Sequence, residues 1–144
     1  MSEQKLHEIE AIKQLKARYF RLLDTQQWQQ WRDLFSEDAT LQWGPKPEHA
    51  FHGRDAIARG VSGNLEGAQS CHQGFMPEIE LIDATHARGI WAMHDWIDHP
   101  AYDLEGFGHY HEEYQKHEDG RWRIQRMQLT RLRERRTPKP KIRD

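Results

Sequence analysis

Apolar residues in the first part of the chain recur every three or four positions, which is the period of an α-helix with one buried side. This spacing predicts a first helix over residues 5–23 and a second helix over Gln26–Phe35. Asp24 lies at the break between them, where its side chain could cap the second helix. A short helix is predicted over Ala56–Val61. Gly and Asn then predict a loop over residues 62–69.

From residue 70 onward the period becomes two, which is typical of β-strands with one buried face. The predicted strands are 39–43, 71–75, 78–82, 87–97, 107–116 and 122–132. Pro77 lies between two of these segments and indicates a bent or bulged strand. Asp119-Gly120 between two alternating segments predicts a tight hairpin. Helices followed by antiparallel strands predict an α+β domain with a long, strongly curved sheet around a helix.

The composition is consistent with one folded domain over residues 1–132, followed by a basic extended tail over residues 133–144. Mean hydropathy is low at −1.03, but 21 basic and 23 acidic residues nearly balance. Six Trp, five Phe and four Tyr favour a packed interior, because aromatic side chains bury large areas. Basic tails can contact phosphates, yet no base-reading motif accompanies this one. We therefore expect no nucleic-acid partner.

Cys71 is the only cysteine, so no internal disulfide can form and a reducing compartment is expected. The first ten residues lack the apolar segment of a signal peptide. No apolar stretch approaches the roughly 18 residues that cross a membrane. These observations predict a cytoplasmic protein with no membrane partner.

Several polar side chains in the predicted strands are candidates for chemistry. His72 carries an imidazole, the usual general base near neutral pH. Asp95 lies within an apolar strand, where a carboxylate must be paired or change its pKa. Arg131 could pair with it or bind a carbonyl or anionic group. Structural roles stay open for these three, as for Tyr19 in the core and Asp24 at a helix end.

The ten histidines do not complete a metal site in the sequence. His109 and His111 share a face of one strand, and His49 and His52 lie in a loop. No cysteine cluster or HExxH motif accompanies them. Motifs for binding nucleotides, or for a serine nucleophile, are also missing from the sequence. We expect neither a metal nor an organic cofactor.

Three short motifs carry a family resemblance: FSEDAT at Phe35–Thr40, GRDAI at Gly53–Ile57 and DGRWRI at Asp119–Ile124. With them, residues 8–132 resemble the SnoaL-like branch of the nuclear transport factor 2-like superfamily. The resemblance implies a cone-shaped α+β barrel, in which N-terminal helices pack into a strongly curved antiparallel or mixed sheet. Within this branch the chain is most similar to bacterial bile-acid 7α-dehydratase, chiefly over Glu10–Asp24.

The resemblance also implies an activity, which is a cofactor-free dehydratase or related lyase. His72, oriented by Asp24, would take a proton next to an activated carbonyl system, and Tyr19 would donate a hydrogen bond to the substrate oxygen. The implied catalytic residues are Tyr19, Asp24, His72, Asp95 and Arg131.

Other members of the branch are less similar at single positions. The additional tyrosine of scytalone dehydratase falls on Leu23, and hexachlorocyclohexane dehydrochlorinase would have lysine in place of Tyr19. The base of ketosteroid isomerase falls near Trp43, which cannot accept a proton. These departures favour elimination over isomerisation, while an isomerase or cyclase that uses the same pair remains an alternative.

Large apolar side chains are expected to line the pocket and bind a flat hydrophobic substrate, such as a steroid or polyketide. They are Trp43, Phe75, Trp91, Met93 and Trp96. A non-catalytic ligand-binding or assembly module of the same fold is a further alternative. Edge strands of curved sheets are commonly covered by a second copy, so a homo-oligomer is expected. The enzymes resembled form trimers, which favours a trimer over a dimer.

Overall fold

A computed structural model describes residues 2–141, in which three helices pack against one six-stranded sheet. The helices are α1 (Glu3–Asp24), α2 (Trp28–Arg32) and α3 (Arg54–Asn64). The strands are β1 (Phe35–Gln42), β2 (Ala50–His52), β3 (Gln69–Leu81), β4 (His86–His99), β5 (Tyr102–Lys116) and β6 (Trp122–Pro138). No helix of the described part of the chain has the length and apolar character needed to cross a membrane.

The strands lie in the order β2-β1-β6-β5-β4-β3. Strand β1 runs parallel to β6, and every other pair is antiparallel. The sheet is curved and unclosed, with the N-terminal helices packed on it. The predicted cone-shaped α+β fold is confirmed.

Helix α1 supplies one side of the core. Ser2 precedes it, and its hydroxyl accepts the N–H of Lys5 at 3.2 Å, so the helix begins at Glu3 rather than at residue 5. Thr25 follows its last residue and donates its hydroxyl hydrogen to the carbonyl oxygen of Arg21 at 2.7 Å. The apolar residues buried on α1 recur at helical spacing and are Ile12, Leu15, Tyr19, Leu22 and Leu23.

Three predictions about the following helices are wrong. Helix α2 ends at Arg32, because Phe35 already belongs to the sheet and Ile124 donates its N–H to the carbonyl of Leu34 at 2.9 Å. Its preceding residue is Gln27, which gives no side-chain cap, so Asp24 is not the predicted cap. Helix α3 continues to Asn64, which shortens the predicted 62–69 loop to residues 65–68.

Strand β3 contains the irregularity predicted at Pro77. Its register against β4 shifts between Phe75 and Glu78, and Met76 has a φ of 43°. The Asp119-Gly120 hairpin is also confirmed: Gly120 has a φ of 81°, which glycine adopts without steric cost.

Strand β6 extends beyond the boundary predicted at Leu132. Its pairing with β5 continues to Pro138, which lies opposite Tyr102. The prediction that residues 133–138 leave the sheet as a tail is therefore wrong. Residues 142–144 of the predicted tail lie outside the described residues.

The sheet has an inner face toward the helices and an outer face that is largely exposed. On β4 the inner positions are occupied by Trp91, Met93 and Asp95, which are 6%, 3% and 2% exposed. Ile90 and Trp96 alternate with them and are 38% and 42% exposed on the outer face. The inner face therefore decides which side chains can take part in a buried site.

Candidate functional site

Asp24 and His72 are joined where the end of α1 meets strand β3. The imidazole Nδ1 lies 2.7 Å from Asp24 Oδ1. The backbone N–H of His72 donates to Asp24 Oδ2 at 2.8 Å, and the hydroxyl of Ser70 donates to Oδ1 at 2.8 Å. Three donors thus fix one carboxylate, and that carboxylate fixes the ring.

The pairing determines which nitrogen of His72 is available. An ionised carboxylate can only accept hydrogen bonds, so Nδ1 carries the proton and Nε2 keeps its lone pair. Both Nδ1 and the backbone N–H of His72 make hydrogen bonds to Asp24. Nε2 makes none within residues 2–141. The His72 side chain is 10% exposed, so the ring is nearly buried and held in one orientation on the inner face.

Asp95 is the neighbour of His72 across the sheet, since the two are directly opposite in the β3–β4 ladder. Arg131 contacts both Asp95 oxygens, Nη1 to Oδ1 at 3.1 Å and Nη2 to Oδ2 at 3.0 Å. Burial alone lowers the pKa of Arg131, but its hydrogen bonds to Asp95 and the carboxylate charge raise it overall. This bidentate ion pair gives the 2% exposed Asp95 a partner of opposite charge.

Gly106 makes room for this ion pair. It lies opposite Asp95 in the β4–β5 ladder, and a Cβ atom there would overlap both Asp95 Oδ1 and Arg131 Nη1. The absence of a side chain at this position therefore allows the pair to occupy the inner face.

Tyr19 lies in the core formed by α1 and the inner face of the sheet. It is 4% exposed, and its hydroxyl donates to Met127 Sδ at 3.5 Å, a weak acceptor. Burial, reinforced by the charges of Glu112 and Asp24, raises the pKa of Tyr19 well above 10. The phenol stays protonated and is a hydrogen-bond donor, although none of its hydrogen bonds within residues 2–141 joins it to His72 or Asp95.

The predicted pocket residues divide between the two faces of the sheet. Trp91 and Met93 share the inner face with Asp95. Phe75 and Trp96 lie on the outer face, 47% and 42% exposed, so the prediction that they line the same pocket is wrong. The reason is strand alternation: each adjoins an inner-face position in sequence and must point the other way.

Trp43 directly follows the last residue of β1 and packs against Phe51 and His49. Its ring lies 4.4 Å from the ring of Phe51 and 5.9 Å from that of His49, and the residue is 36% exposed. Neither of these two partners belongs to the cluster around His72.

The sequence prediction missed a buried ion pair beneath the cluster. Lys16 Nζ lies 2.8 Å from Glu112 Oε2, and both side chains are fully buried. Burial lowers the pKa of Lys16 to about 8, although Glu112 opposes this effect. The signal was present in the sequence, because Lys16 falls four residues after Ile12 on the apolar side of α1.

The ion pair continues into a chain of hydrogen bonds. The hydroxyl of Tyr114 donates to Glu112 Oε1 at 2.7 Å, and Trp91 Nε1 donates to that hydroxyl at 2.9 Å. The polar end of Trp91 is thus engaged in the core, and only its ring is available to a ligand.

Surface cavities of about 520 and 580 Å³ lie elsewhere on the molecule. The first is a groove on the sheet near Arg88 and Arg126, and the second lies between α1 and the start of β6 near Leu15. None of the five candidate catalytic residues lines either cavity. Beside His72, the Phe20 ring lies against Gly74 and occupies the inner face. Within residues 2–141, no three His, Cys, Asp or Glu side chains are grouped to hold a metal.

The fold is that of a cone-shaped α+β protein, and the His72–Asp24 pair lies on the inner face of its sheet. The family model described as the SnoaL-like domain matches residues 4–128, and the chain belongs to this family.

Solved structures with the same fold cover nearly the whole chain. A scytalone dehydratase-like protein from Novosphingobium aromaticivorans is 22% identical with a TM-score of 0.84, over 100% of this chain and 99% of that one. A Mycobacterium tuberculosis protein of unknown function is 26% identical with a TM-score of 0.80, over 91% and 75%. A hexachlorocyclohexane dehydrochlorinase is 18% identical with a TM-score of 0.77, over 96% and 93%.

Proposed function

We propose that the protein is a cofactor-free lyase that removes water from a hydrophobic polycyclic substrate of steroid or polyketide type. The observation that carries this proposal is the 2.7 Å contact of His72 Nδ1 with Asp24, which leaves Nε2 as an oriented base. The fold also occurs in structures named as a dehydratase-like protein and a dehydrochlorinase, which supports elimination chemistry. The specific likeness to bile-acid 7α-dehydratase stays a prediction.

The first step is proton abstraction. Nε2 of His72 takes a proton from the carbon next to a substrate carbonyl, and the C–H electron pair forms an enolate. Asp24, whose carboxylate already accepts the Nδ1 proton, stabilises the imidazolium that results. A fixed geometry of this kind contributes to the rate because neither group has to be reoriented during the reaction.

The second step is loss of the hydroxyl group. The enolate electrons return to form the carbon–carbon double bond, the carbon–oxygen bond breaks, and the hydroxyl leaves as water with the proton held by His72. The Asp95–Arg131 pair lies directly beside His72 on the sheet and would position the leaving group.

Tyr19 is proposed to bind the carbonyl oxygen as it gains charge. Its present acceptor is the sulfur of Met127, which an oxyanion would outcompete. Donors in such sites contribute roughly 3–4 kcal/mol. Trp91 and Met93 on the inner face would then contact the apolar rings of the substrate. Entry also requires the Phe20 ring to move away from Gly74.

A second candidate is a non-catalytic ligand-binding module. The observation that favours it is the deep burial of Tyr19, which is 4% exposed and fully integrated in the core. An isomerase or cyclase is a third candidate and would share the abstraction step with the lyase. Separate readouts of abstraction and of water loss distinguish all three.

The test uses a panel of bicyclic and steroidal β-hydroxy ketones. Exchange of the proton next to the carbonyl in D₂O, followed by NMR, reports abstraction, and the absorbance of a conjugated enone reports water loss. His72→Ala should reduce both rates by at least about 100-fold while the protein remains folded. His86→Ala is the matched control, because His86 Nδ1 pairs with Asp83 at 2.9 Å on an exposed turn.

The possible results separate the candidates. Exchange without enone formation across the whole panel would favour the isomerase, and binding with no exchange would favour the ligand-binding module. Equal rates for His72→Ala and His86→Ala would contradict an acid–base role for the pair.

We further propose that the protein assembles as a homo-oligomer, with a trimer favoured. The outer face of the sheet presents large apolar side chains that a second copy would cover. They are Phe75, Ile90, Trp96, Phe107 and Leu132. Light scattering after size-exclusion chromatography gives the state, and Trp96→Ser with Phe107→Ser should lower the mass if this face is the interface. An unchanged mass would contradict it.

A further inference from the structure

Strand β5 presents to the protein interior a phenol to which the proposed steps give no role. Tyr110 is 0% exposed, and its hydroxyl makes no hydrogen bond of good geometry within residues 2–141, although it lies near enough to the Tyr19 hydroxyl to lower the pKa of that group. A buried hydroxyl that is left unpaired destabilises a fold, whereas phenylalanine would fill the same space without that cost. The position therefore carries a polar group that folding alone does not require.

Tyr110 occupies the inner face next to the candidate site. It lies between Trp91 on β4 and Leu129 on β6 in the two ladders, and Gly108, two residues before it, faces Arg131. Its ring centre is 6.0 Å from that of Tyr19. The phenol ring therefore packs beside Tyr19, two residues along β5 from the glycine that faces Arg131.

The charges around Tyr110 agree with this position. Burial raises the pKa of Tyr110 well above 10, and the neighbouring Tyr19, Asp95 and Glu112 raise it further, while Arg131 lowers it. Because its pKa is raised, the hydroxyl stays protonated, as a donor must.

One buried cation lies against both phenol rings. The ammonium of Lys16 lies 3.7 Å from the ring centre of Tyr19 and 3.7 Å from that of Tyr110. A cation on the faces of two phenol rings favours negative charge on an oxygen that their hydroxyls bind. Glu112 contacts the same ammonium and keeps it charged in the core.

We propose that Tyr110 is a second substrate-binding phenol, which donates a hydrogen bond to the same substrate oxygen as Tyr19. The proposal rests on the proposed function and specifies its substrate class. Two neutral donors, with the nearby guanidinium already held by Asp95, suit a ketone oxygen that becomes an enolate rather than a carboxylate.

The test uses 2-naphthol, whose fluorescence distinguishes the neutral form from naphtholate, a stable mimic of an enolate oxygen. The wild-type protein should bind naphtholate in preference to naphthol. Tyr110→Phe should reduce affinity for naphtholate by about 10- to 100-fold, as for a hydrogen bond to a charged acceptor, and change naphthol affinity little. Tyr102→Phe, at the far end of β5, is the matched control.

Melting temperatures provide a second readout. Tyr110→Phe should melt at or above the wild-type temperature, because no protein partner is lost. Tyr114→Phe should melt lower, because that hydroxyl bonds both Glu112 and Trp91. Tyr110→Phe melting as low as Tyr114→Phe would overturn the proposal.

The binding results also separate this proposal from the proposed function. The role of Tyr110 would be overturned if Tyr110→Phe and Tyr102→Phe bound naphtholate equally well. It would also be overturned if the wild-type protein showed no preference for naphtholate over naphthol. His72-dependent proton exchange in the same preparations would leave the lyase proposal standing. If proton exchange did not depend on His72 while naphtholate binding was retained, only the lyase proposal would be contradicted.

Discussion

The carboxylate of Asp24 accepts hydrogen bonds from both the ring and the backbone N–H of His72, at 2.7 and 2.8 Å. One side chain at the end of a helix therefore sets both the position and the tautomer of a residue in a strand.

Asp24→Asn should keep the fold but disturb the tautomer of His72, because an amide can also present N–H groups to the ring. We expect proton exchange with the ketone panel to fall by about 100-fold or more, by analogy with other oriented His–carboxylate pairs. NMR in D₂O measures the exchange, and circular dichroism checks folding. Asp83→Asn alters the exposed pair with His86 and is the control. Equal exchange rates in the two variants would show that orientation by Asp24 is unimportant.

Gly106→Ala should disrupt the Asp95–Arg131 pair, because the new methyl group overlaps atoms of both side chains. We expect the free energy of unfolding to fall by about 1–3 kcal/mol, as for other overpacked sites. Gly63→Ala in α3 is the control: no atom lies within 4 Å of the new Cβ, so it should be neutral or stabilise by about 0.5–1 kcal/mol. Urea denaturation of both variants tests this, and a fully stable Gly106→Ala would contradict the close packing.

The buried pair of Lys16 and Glu112 should show strong coupling. Lys16→Met leaves a buried carboxylate alone and should destabilise by about 3–5 kcal/mol. Adding Glu112→Gln removes that charge, keeps an acceptor for Tyr114, and should restore part of the loss. Arg88→Met breaks a surface contact with Glu80 and should cost at most about 1 kcal/mol. Additive effects of Lys16→Met and Glu112→Gln would argue against a direct charge pair.

Glu8 should make part of the stability pH-dependent. Its hydrogen bond from Lys116, at 2.8 Å, lowers the pKa of Glu8 below its usual range, with a further contribution from Trp122. A carboxyl whose folded pKa is lowered contributes stability above its unfolded pKa and loses it as the pH falls through the folded value. The stability advantage of wild type over Glu8→Gln should therefore be full above the unfolded pKa of about 4.3 and disappear as the pH falls through the lower folded value.

Urea denaturation at several pH values measures this advantage. Glu10→Gln, on the exposed side of the same helix, controls for the loss of one negative charge. An advantage that grows as the pH falls would contradict the assigned contacts of Glu8.

Residue periodicity predicted much of the fold because most elements have one buried and one exposed side. It failed where that contrast disappears. Residues 133–138 are exposed on both faces, so nothing in their pattern distinguishes a strand from a tail. The position of Lys16 on the apolar side of α1 was visible in the sequence. Its burial could not be predicted, because it depends on pairing with Glu112, which lies 96 positions away.

The site was only partly predictable. The family resemblance brought together Asp24 and His72, which are 48 positions apart and now lie in contact. It could not assign Phe75 and Trp96 to the outer face, because the face that each side chain occupies depends on the register between β3 and β4. Tyr110 carries no signal in the sequence, since a buried tyrosine with a satisfied hydroxyl has the same pattern.

The irregularity in β3 at Met76 determines which side chains of this strand face inward. His72 and Gly74 face inward at even positions, whereas Ile79 and Leu81 do so at odd positions. A regular strand alternates strictly, so it could direct only one of these two sets inward. The extra residue at the bulge allows both sets to face inward on one strand. Deletion of Met76, which is itself 88% exposed, would turn either His72 and Gly74 or Ile79 and Leu81 to the outer face.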